Sequence, residues 1–294
     1  VCIYPTQTRM SEGWLSRKRP RVSEDINSFA EKNNFEIVED ELLASLSDVQ
    51  AAMAVVLGYM ASSQHLPRVV FKHQISTIIK NPTEVERELE SMRLSGKVRN
   101  FSISLSSSEI MGVMMSDDYT ADIETRINEC VAGGEKQTEE ALRLFKEWIS
   151  SHTSTTVLEG DILDADSGGT SAGCMTRPIL ESVVSAGFLI QRRSSAAAGL
   201  YALWHPKIGE LVRVIDAMSR HIHGVVRRTR YKEVSERSLI ASKAKEKTRG
   251  KVPRGAGSAE GAGFRYHIAD MVGRGLLNKI DGPSGVLLRI PKKT

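Results

Sequence analysis

At 294 residues the chain exceeds the roughly 100 to 200 of one domain, so two or three small domains are expected rather than one large core. Hydrophobic residues make up 40% of it, enough to fold, but aromatics only 5%, which argues against lectin-like, antibody-like and propeller-like β architectures. The net charge of +4 is uneven, −12 over residues 23–206 and +9 over 207–254, so a polyanion is expected on the C-terminal third and protein contacts on the acidic middle.

The N-terminal segment, 1–40, is expected to be a basic, disordered tail. It contains Arg17, Lys18, Arg19 and Arg21 around Pro20, the compact cationic string that nuclear-import receptors read in extended form. The alternative is a basic tail without that role.

The rest of the chain repeats one pattern three times. Leu89-Glu-Ser-Met92-Arg-Leu-Ser-Gly96, Leu180-Glu-Ser-Val183-Val-Ser-Ala-Gly187 and Ile268-Ala-Asp-Met271-Val-Gly-Arg-Gly275 each place an aliphatic residue, an apolar residue three positions on and a glycine at plus seven. The i, i+3 pair marks one helical face, and the glycine stands where a helix ends in a left-handed cap. Two short strands follow each glycine: Val98 to Leu105 with Ile110 to Met115, Phe188 to Gln191 with Leu200 to Trp204, and Leu276 to Ile280 with Val286 to Ile290.

A helix running through glycine into a β-hairpin is the end of a winged-helix module. Upstream, Asp48 is expected to cap a helix through Met60, with a strand at Val69 to Phe71, a helix at Gln74 to Lys80 and another opening at Asn81. In the second copy Thr138 opens a helix through Ile149, Thr155 to Leu158 is a strand, and Asp161 to Asp164 a short helix. The expected fold is mainly α with small β-hairpin wings (α+β), as three tandem winged helices over 41–120, 121–206 and 207–294.

Between the second and third copies Ile208 to Arg228 carries a stripe of Ile208, Leu211, Val212, Ile215, Met218, Ile222, Val225 and Val226 at helical spacing. Arg213, Arg220 and Arg227 then fall seven apart on the opposite face, and Arg228, Arg230, Lys232, Lys243 and Lys245 continue the charge into a Lys/Gly-rich stretch. Such a row suits phosphate tracking on double-stranded DNA. The third copy's helix, Phe264 to Arg274, adds Arg265, His267 and Arg274 as candidates for a groove, whereas the first two copies make poor DNA readers. The expectation is shape and phosphate binding with little sequence preference.

Several catalytic signals are decoys. Gly169-Thr-Ser171-Ala-Gly173 matches a nucleophile elbow by letter, but Asp164-Ala-Asp-Ser-Gly168 stands where the elbow needs an apolar strand. His221 and His223 lie on different helical faces without a third ligand, and neither Asp117-Asp118 nor Asp161, Asp164 and Asp166 have calcium-loop spacing. Cys2, Cys130 and Cys174 form no C-x-x-C pair, which supports neither a disulfide framework nor a cysteine zinc site and fits a reducing compartment. A phosphate-covering loop, strand lysine, H-R-D loop and D-F-G are all missing from the sequence, so phosphoryl transfer has no visible machinery. The longest apolar stretch, Ala51 to Met60, is shorter than the ~20 residues of a membrane span, and no signal-peptide pattern opens the sequence. A soluble, non-secreted, non-enzymatic chain with no cofactor, metal, membrane or small-molecule substrate is expected.

Val226-Arg-Arg-Thr-Arg-Tyr-Lys-Glu233, Tyr266-His-Ile-Ala-Asp-Met-Val-Gly273 and Ser284-Gly-Val-Leu-Leu-Arg-Ile-Pro291 resemble the serine/threonine-protein kinase 19 family, as does Met115-Ser-Asp-Asp-Tyr119 after the first wing. The likeness runs from Leu42 to the end, its specific motifs lying after Gly209. That family bears a kinase name but is understood as tandem winged-helix proteins. The resemblance implies a nuclear protein that binds double-stranded DNA in transcription-coupled nucleotide-excision repair, bridging RNA polymerase II, the repair ubiquitin ligase and transcription factor IIH. The family's DNA-contacting positions fall on Arg213, Arg227, Arg230 and Lys243, the last beside a departure from the family pattern, the 244–262 insertion. A protein-docking subunit of a transcription or trafficking complex, without DNA binding, is the alternative.

Overall fold

The computed structural model describes residues 46–60, 66–105, 108–163, 175–192, 199–241, 263–282 and 285–291. The tail cations Arg17, Lys18, Arg19 and Arg21, the elbow look-alike, Lys243, Lys245 and the 244–262 insertion lie outside the described residues.

Helices predominate, with three small antiparallel sheets. The elements are α1 (Asp48–Gly58), β1 (Val70–Phe71), α2 (Lys72–Ile78), α3 (Pro82–Leu94), β2 (Val98–Leu105) and β3 (Ser108–Met115). Next come α4 (Ser116–Gly133), α5 (Lys136–Ser151), β4 (Thr156–Leu158), α6 (Glu159–Leu163), α7 (Arg177–Ser185), β5 (Leu189–Arg192) and β6 (Leu200–Leu203). Last are α8 (Ile208–Arg228), β7 (Glu233–Ser235), a helical segment at 236–241, α9 (Phe264–Gly273), β8 (Asn278–Gly282) and β9 (Gly285–Arg289). The three sheets run in the orders β1-β3-β2, β4-β6-β5 and β7-β9-β8, so each time a short early strand pairs with the far arm of a later hairpin.

The repeated glycine motif explains why each hairpin starts where it does. Gly96, Gly187 and Gly275 have φ of +72°, +84° and +70°, and their N–H groups donate back to the carbonyls of Arg93, Val184 and Val272. The next residues, Lys97, Phe188 and Leu276, donate to Met92, Val183 and Met271, the apolar residue of each motif. This pair of bonds is a Schellman closure: it satisfies the last helical carbonyls and turns the chain into the wing. Those three apolar residues are buried, so the same position both closes the helix and packs its face.

Some boundaries differ from expectation. Ser47, not Asp48, caps α1, in a reciprocal capping box with Gln50, and Asp48 is the first-turn acid. The first-copy middle helix starts at Lys72, because the Gln74 side chain reaches back to accept from the Phe71 N–H at 2.8 Å. The 18-residue α4, with buried Tyr119, Ile123, Ile127 and Cys130 at helical spacing, has no counterpart in the repeat pattern.

Buried side chains from all three sheets form one continuous apolar cluster. Arg99, 5% exposed, donates from β2 to the backbone carbonyls of Ile149, at 2.7 Å, and His152. Burial pulls its pKa down. The Tyr119 hydroxyl donates to the Trp204 carbonyl at 3.1 Å, tying α4 to the end of β6.

Candidate nucleic-acid interface

The segment 208–228 is one 21-residue helix, with Ile208, Leu211, Val214, Ile215, Met218, Ile222 and Val226 buried. Arg213, Arg220 and Arg227 lie on its exposed face, and Arg228 is exposed beside them. At about 1.5 Å per residue the row spans roughly 21 Å. The Arg213 and Arg220 Nε atoms donate to the carbonyls of Gly209 and Asp216, which lays both side chains along the helix. None of Arg213, Arg220, Arg227, Arg228, Arg230 and Lys232 is in an ion pair among the described residues. Arg227 and Arg228 stand in the last turn, where the helix dipole favours cations.

The helix is anchored at three places. At its start the His205 ring accepts from the Lys207 N–H at 3.2 Å, while its Nε2 lies 3.0 Å from Asp122 of α4. In the middle Ser219, 8% exposed, accepts from Arg274, the residue that caps α9, at 2.8 Å. At its end the Ile290 N–H donates to the Lys232 carbonyl at 3.2 Å, joining the exit turn to the third sheet.

The helix expected to offer a groove-reading face is placed elsewhere. α9 lies against α2 and buries Phe264, Tyr266, His267, Ile268, Asp270 and Met271. The Tyr266 hydroxyl donates to the Val69 carbonyl at 2.7 Å, and the Gln74 amide to the Tyr266 carbonyl at 3.1 Å. Asp270 is fully buried, 2.8 Å from His73 Nε2 on one side and paired with Arg274 on the other. The Arg274 side chain is only 13% exposed, and His267 is fully buried, so both face inward rather than toward a groove. Arg265 is half-buried, 3.8 Å from Glu236. The exposed candidates therefore converge on α8 and its exit turn, with Arg265 and Arg274 drawn into packing.

Sequence reasoning did not single out Lys207, Tyr231 or Arg237; all three are exposed, Lys207 just before α8, Tyr231 in its exit turn and Arg237 in the helical segment at 236–241. Tyr231 had a legible signal: it is the aromatic within the basic run that ends α8. Among the described residues no helix is long and apolar enough to cross a membrane.

Residues 39–290 match the family described as inactive serine-threonine protein kinase 19. The chain belongs to that family. It is 22% identical over 227 residues to winged helix repair factor 1 of Homo sapiens, covering 77% of this chain and 78% of that protein. Its likeness to the Xenopus laevis protein of the same name is 24% over 225 residues, 76% of this chain and 75% of the relative. The Mus musculus protein so named is 22% identical over 226 residues. The family likeness expected from the C-terminal motifs is thus borne out, as is an α+β fold.

Proposed function

We propose that the chain is a non-enzymatic, nuclear, repair-associated protein of three tandem winged helices, 41–120, 121–206 and 207–294, that grips double-stranded DNA with α8. The observation that carries the reading is the row of exposed arginines on a helix held at three places. A row of roughly 21 Å exceeds the major groove's ~12 Å width, so its two ends reach phosphates on either side. Phosphates are recognised without regard to sequence, which suits a scaffold that must act wherever damage lies. The relatives' name supports repair, and the family's description as inactive supports a role without phosphoryl transfer. From the family resemblance, the partners are RNA polymerase II, the repair ubiquitin ligase and transcription factor IIH.

The test is a titration of fluorescein-labelled duplex of random sequence at several salt concentrations. The wild type is expected to bind at micromolar or tighter, with log K falling by about 0.9 per phosphate contact per unit log salt. R213E/R227E/R230E is expected to lose binding and keep its fold. Absence of binding at low salt sinks the DNA reading.

A second reading, protein docking, is favoured by α3, the counterpart of α9 in the first copy. Glu86, Glu90 and Leu94 of α3 are exposed, Leu94 at 62%, and the two carboxylates pair with Lys72 and Arg93, which makes a charge-paired face with an apolar end that suits protein rather than phosphate contacts. Loss of partner capture in E86K/E90K/L94S with duplex binding intact assigns α3 to protein contacts.

A further inference from the structure

Tyr231, directly after the arginine row, is 71% exposed and is the one exposed aromatic side chain among the described residues. A ring that shed water against the core would stabilise the fold, and nearly every other aromatic among the described residues does so. The turn that carries it is tightly held. The Thr229 hydroxyl donates to the Val226 carbonyl at 2.7 Å, and the Lys232 N–H donates to the Thr229 carbonyl at 3.1 Å, which closes residues 229–232 into a turn. Lys232 has φ of 55°, the one positive value at a non-glycine residue among the described residues, in a region that L side chains rarely adopt. Such strain persists where the surroundings over-determine it, here the α8 end on one side and the Ile290 bond on the other. The Arg230 guanidinium sits over the ring, 5.4 Å from its centroid. One ring face thus carries a cation and the other is open, within a cluster of Arg227, Arg228, Arg230 and Lys232.

An open aromatic face among cations fits a π-faced, anionic ligand. Inside a paired duplex the base faces are covered by their neighbours, whereas an unpaired nucleotide offers a face together with its phosphate. We infer that Tyr231 is a stacking platform for an unpaired nucleobase, so that the end of the arginine row sits at a junction between double- and single-stranded DNA. The inference rests on the duplex grip proposed above and adds to it a preference for structure over sequence. Stacking on a ring is tolerant of base identity, since every base has a π face.

The test uses the full chain and three labelled DNAs: a blunt duplex, the same duplex with a short single-stranded overhang, and that overhang made of abasic nucleotides. The expected result is about five- to tenfold tighter binding to the overhang than to the blunt duplex. The abasic overhang is expected to lose that gain, because it keeps the phosphates and removes the bases. Y231A abolishes the gain and leaves blunt-duplex affinity within about twofold, while Y231F and Y231W retain it. A 2-aminopurine in the overhang changes fluorescence on binding the wild type and not Y231A. Equal affinity for overhang and blunt duplex in the wild type, a gain that survives in Y231A or with abasic nucleotides, or an equal loss on all DNAs in Y231A overturns the platform. Failure of the blunt duplex to bind at low salt overturns the duplex grip instead, and Tyr231-dependent binding of the overhang strand alone then still supports the platform.

Discussion

Asp270→Asn is expected to unseat α9 from α2. The carboxylate is fully buried, with one oxygen 2.8 Å from His73 Nε2 and the other paired with Arg274, itself 13% exposed. An amide keeps one acceptor and turns the other position into a donor. Facing its oxygen to Arg274 leaves the NH2 against His73, whose neutral ring can accept by changing tautomer, so hydrogen bonding is partly retained. The charge is not: the Arg274 cation stays in a buried place without its counterion. Breaking a buried pair by removing one partner costs about 3 to 5 kcal/mol, and the surviving hydrogen bond places this variant near ~3 kcal/mol. At roughly 2 to 4 °C per kcal/mol, a thermal midpoint about 6 to 12 °C lower is expected. E233Q, which breaks the half-exposed Glu233–Arg289 pair, is the control and is expected to cost about 1 kcal/mol. D270L/R274M, which removes both charges together, is expected to be more stable than the sum of its single variants predicts, by at least about 1 kcal/mol. The assay is urea denaturation of all variants followed by circular dichroism. Equal costs for D270N and E233Q, or additivity in the double variant, would refute the assignment of this carboxylate as the charge that locks the interface.

Gly273→Ala is expected to destabilise by about 1 to 3 kcal/mol in the same assay, because a Cβ there meets the His73 carbonyl oxygen at 2.5 Å and backbone must move. Burial pushes the phenols of Tyr59, Tyr119 and Tyr266 up from their ordinary values. The unfolded chain loses these protons near pH 10 while the native chain keeps them, so stability holds below about pH 10 and falls above it by roughly 1.4 kcal/mol per pH unit for each phenol. In a spectrophotometric alkaline titration the corresponding phenolate absorbance is expected to appear together with unfolding rather than before it. Cys130 is fully buried and burial pushes its thiol up, so iodoacetamide at pH 8 is expected to alkylate it far more slowly in the native chain than in urea, read by peptide mass spectrometry.

What the sequence makes legible is whatever local chemistry dictates. The three glycine motifs announce the three hairpins because a left-handed cap needs glycine and the buried apolar partner stands a fixed distance before it. Asn81 followed by Pro82 marks the start of α3 for the same kind of reason, a side-chain cap and a first-turn proline. The stripe of α8 is legible because an apolar face at 3.6-residue spacing must find a core, which also fixes the arginines outside. The fate of α9 is not local. Asp270, Tyr266 and Gly273 read as an ordinary helix, and what decides their roles is His73, Val69 and Gln74, nearly two hundred residues earlier in the chain. No spacing or composition within the helix announces a partner so distant. Arg274, which reads as one more cation of a basic third, is an inward counterion for the same reason.

This displacement bears on how the proposed DNA contact is made. In the usual winged helix the helix before the wing reads the major groove, and specificity comes from its side chains on base edges. Here that helix in the third copy is enclosed by the first copy, and the exposed cations sit instead on the long helix that opens the third copy. A helix held by its apolar face and bearing arginines seven apart presents charge without the varied polar side chains that base edges require. Packing α9 against α2 leaves it no groove-reading face and gives α8 a rigid frame, which makes that frame and the proposed grip separable. D270N loosens the frame without touching an exposed arginine, whereas R213E/R227E/R230E removes the grip without touching the core. If the two act as argued, D270N lowers the thermal midpoint while leaving the salt slope of duplex binding unchanged below that midpoint, and the triple variant does the reverse. A D270N protein that is fully folded yet has lost the slope places phosphate binding on α9 after all, against the geometry of its buried face.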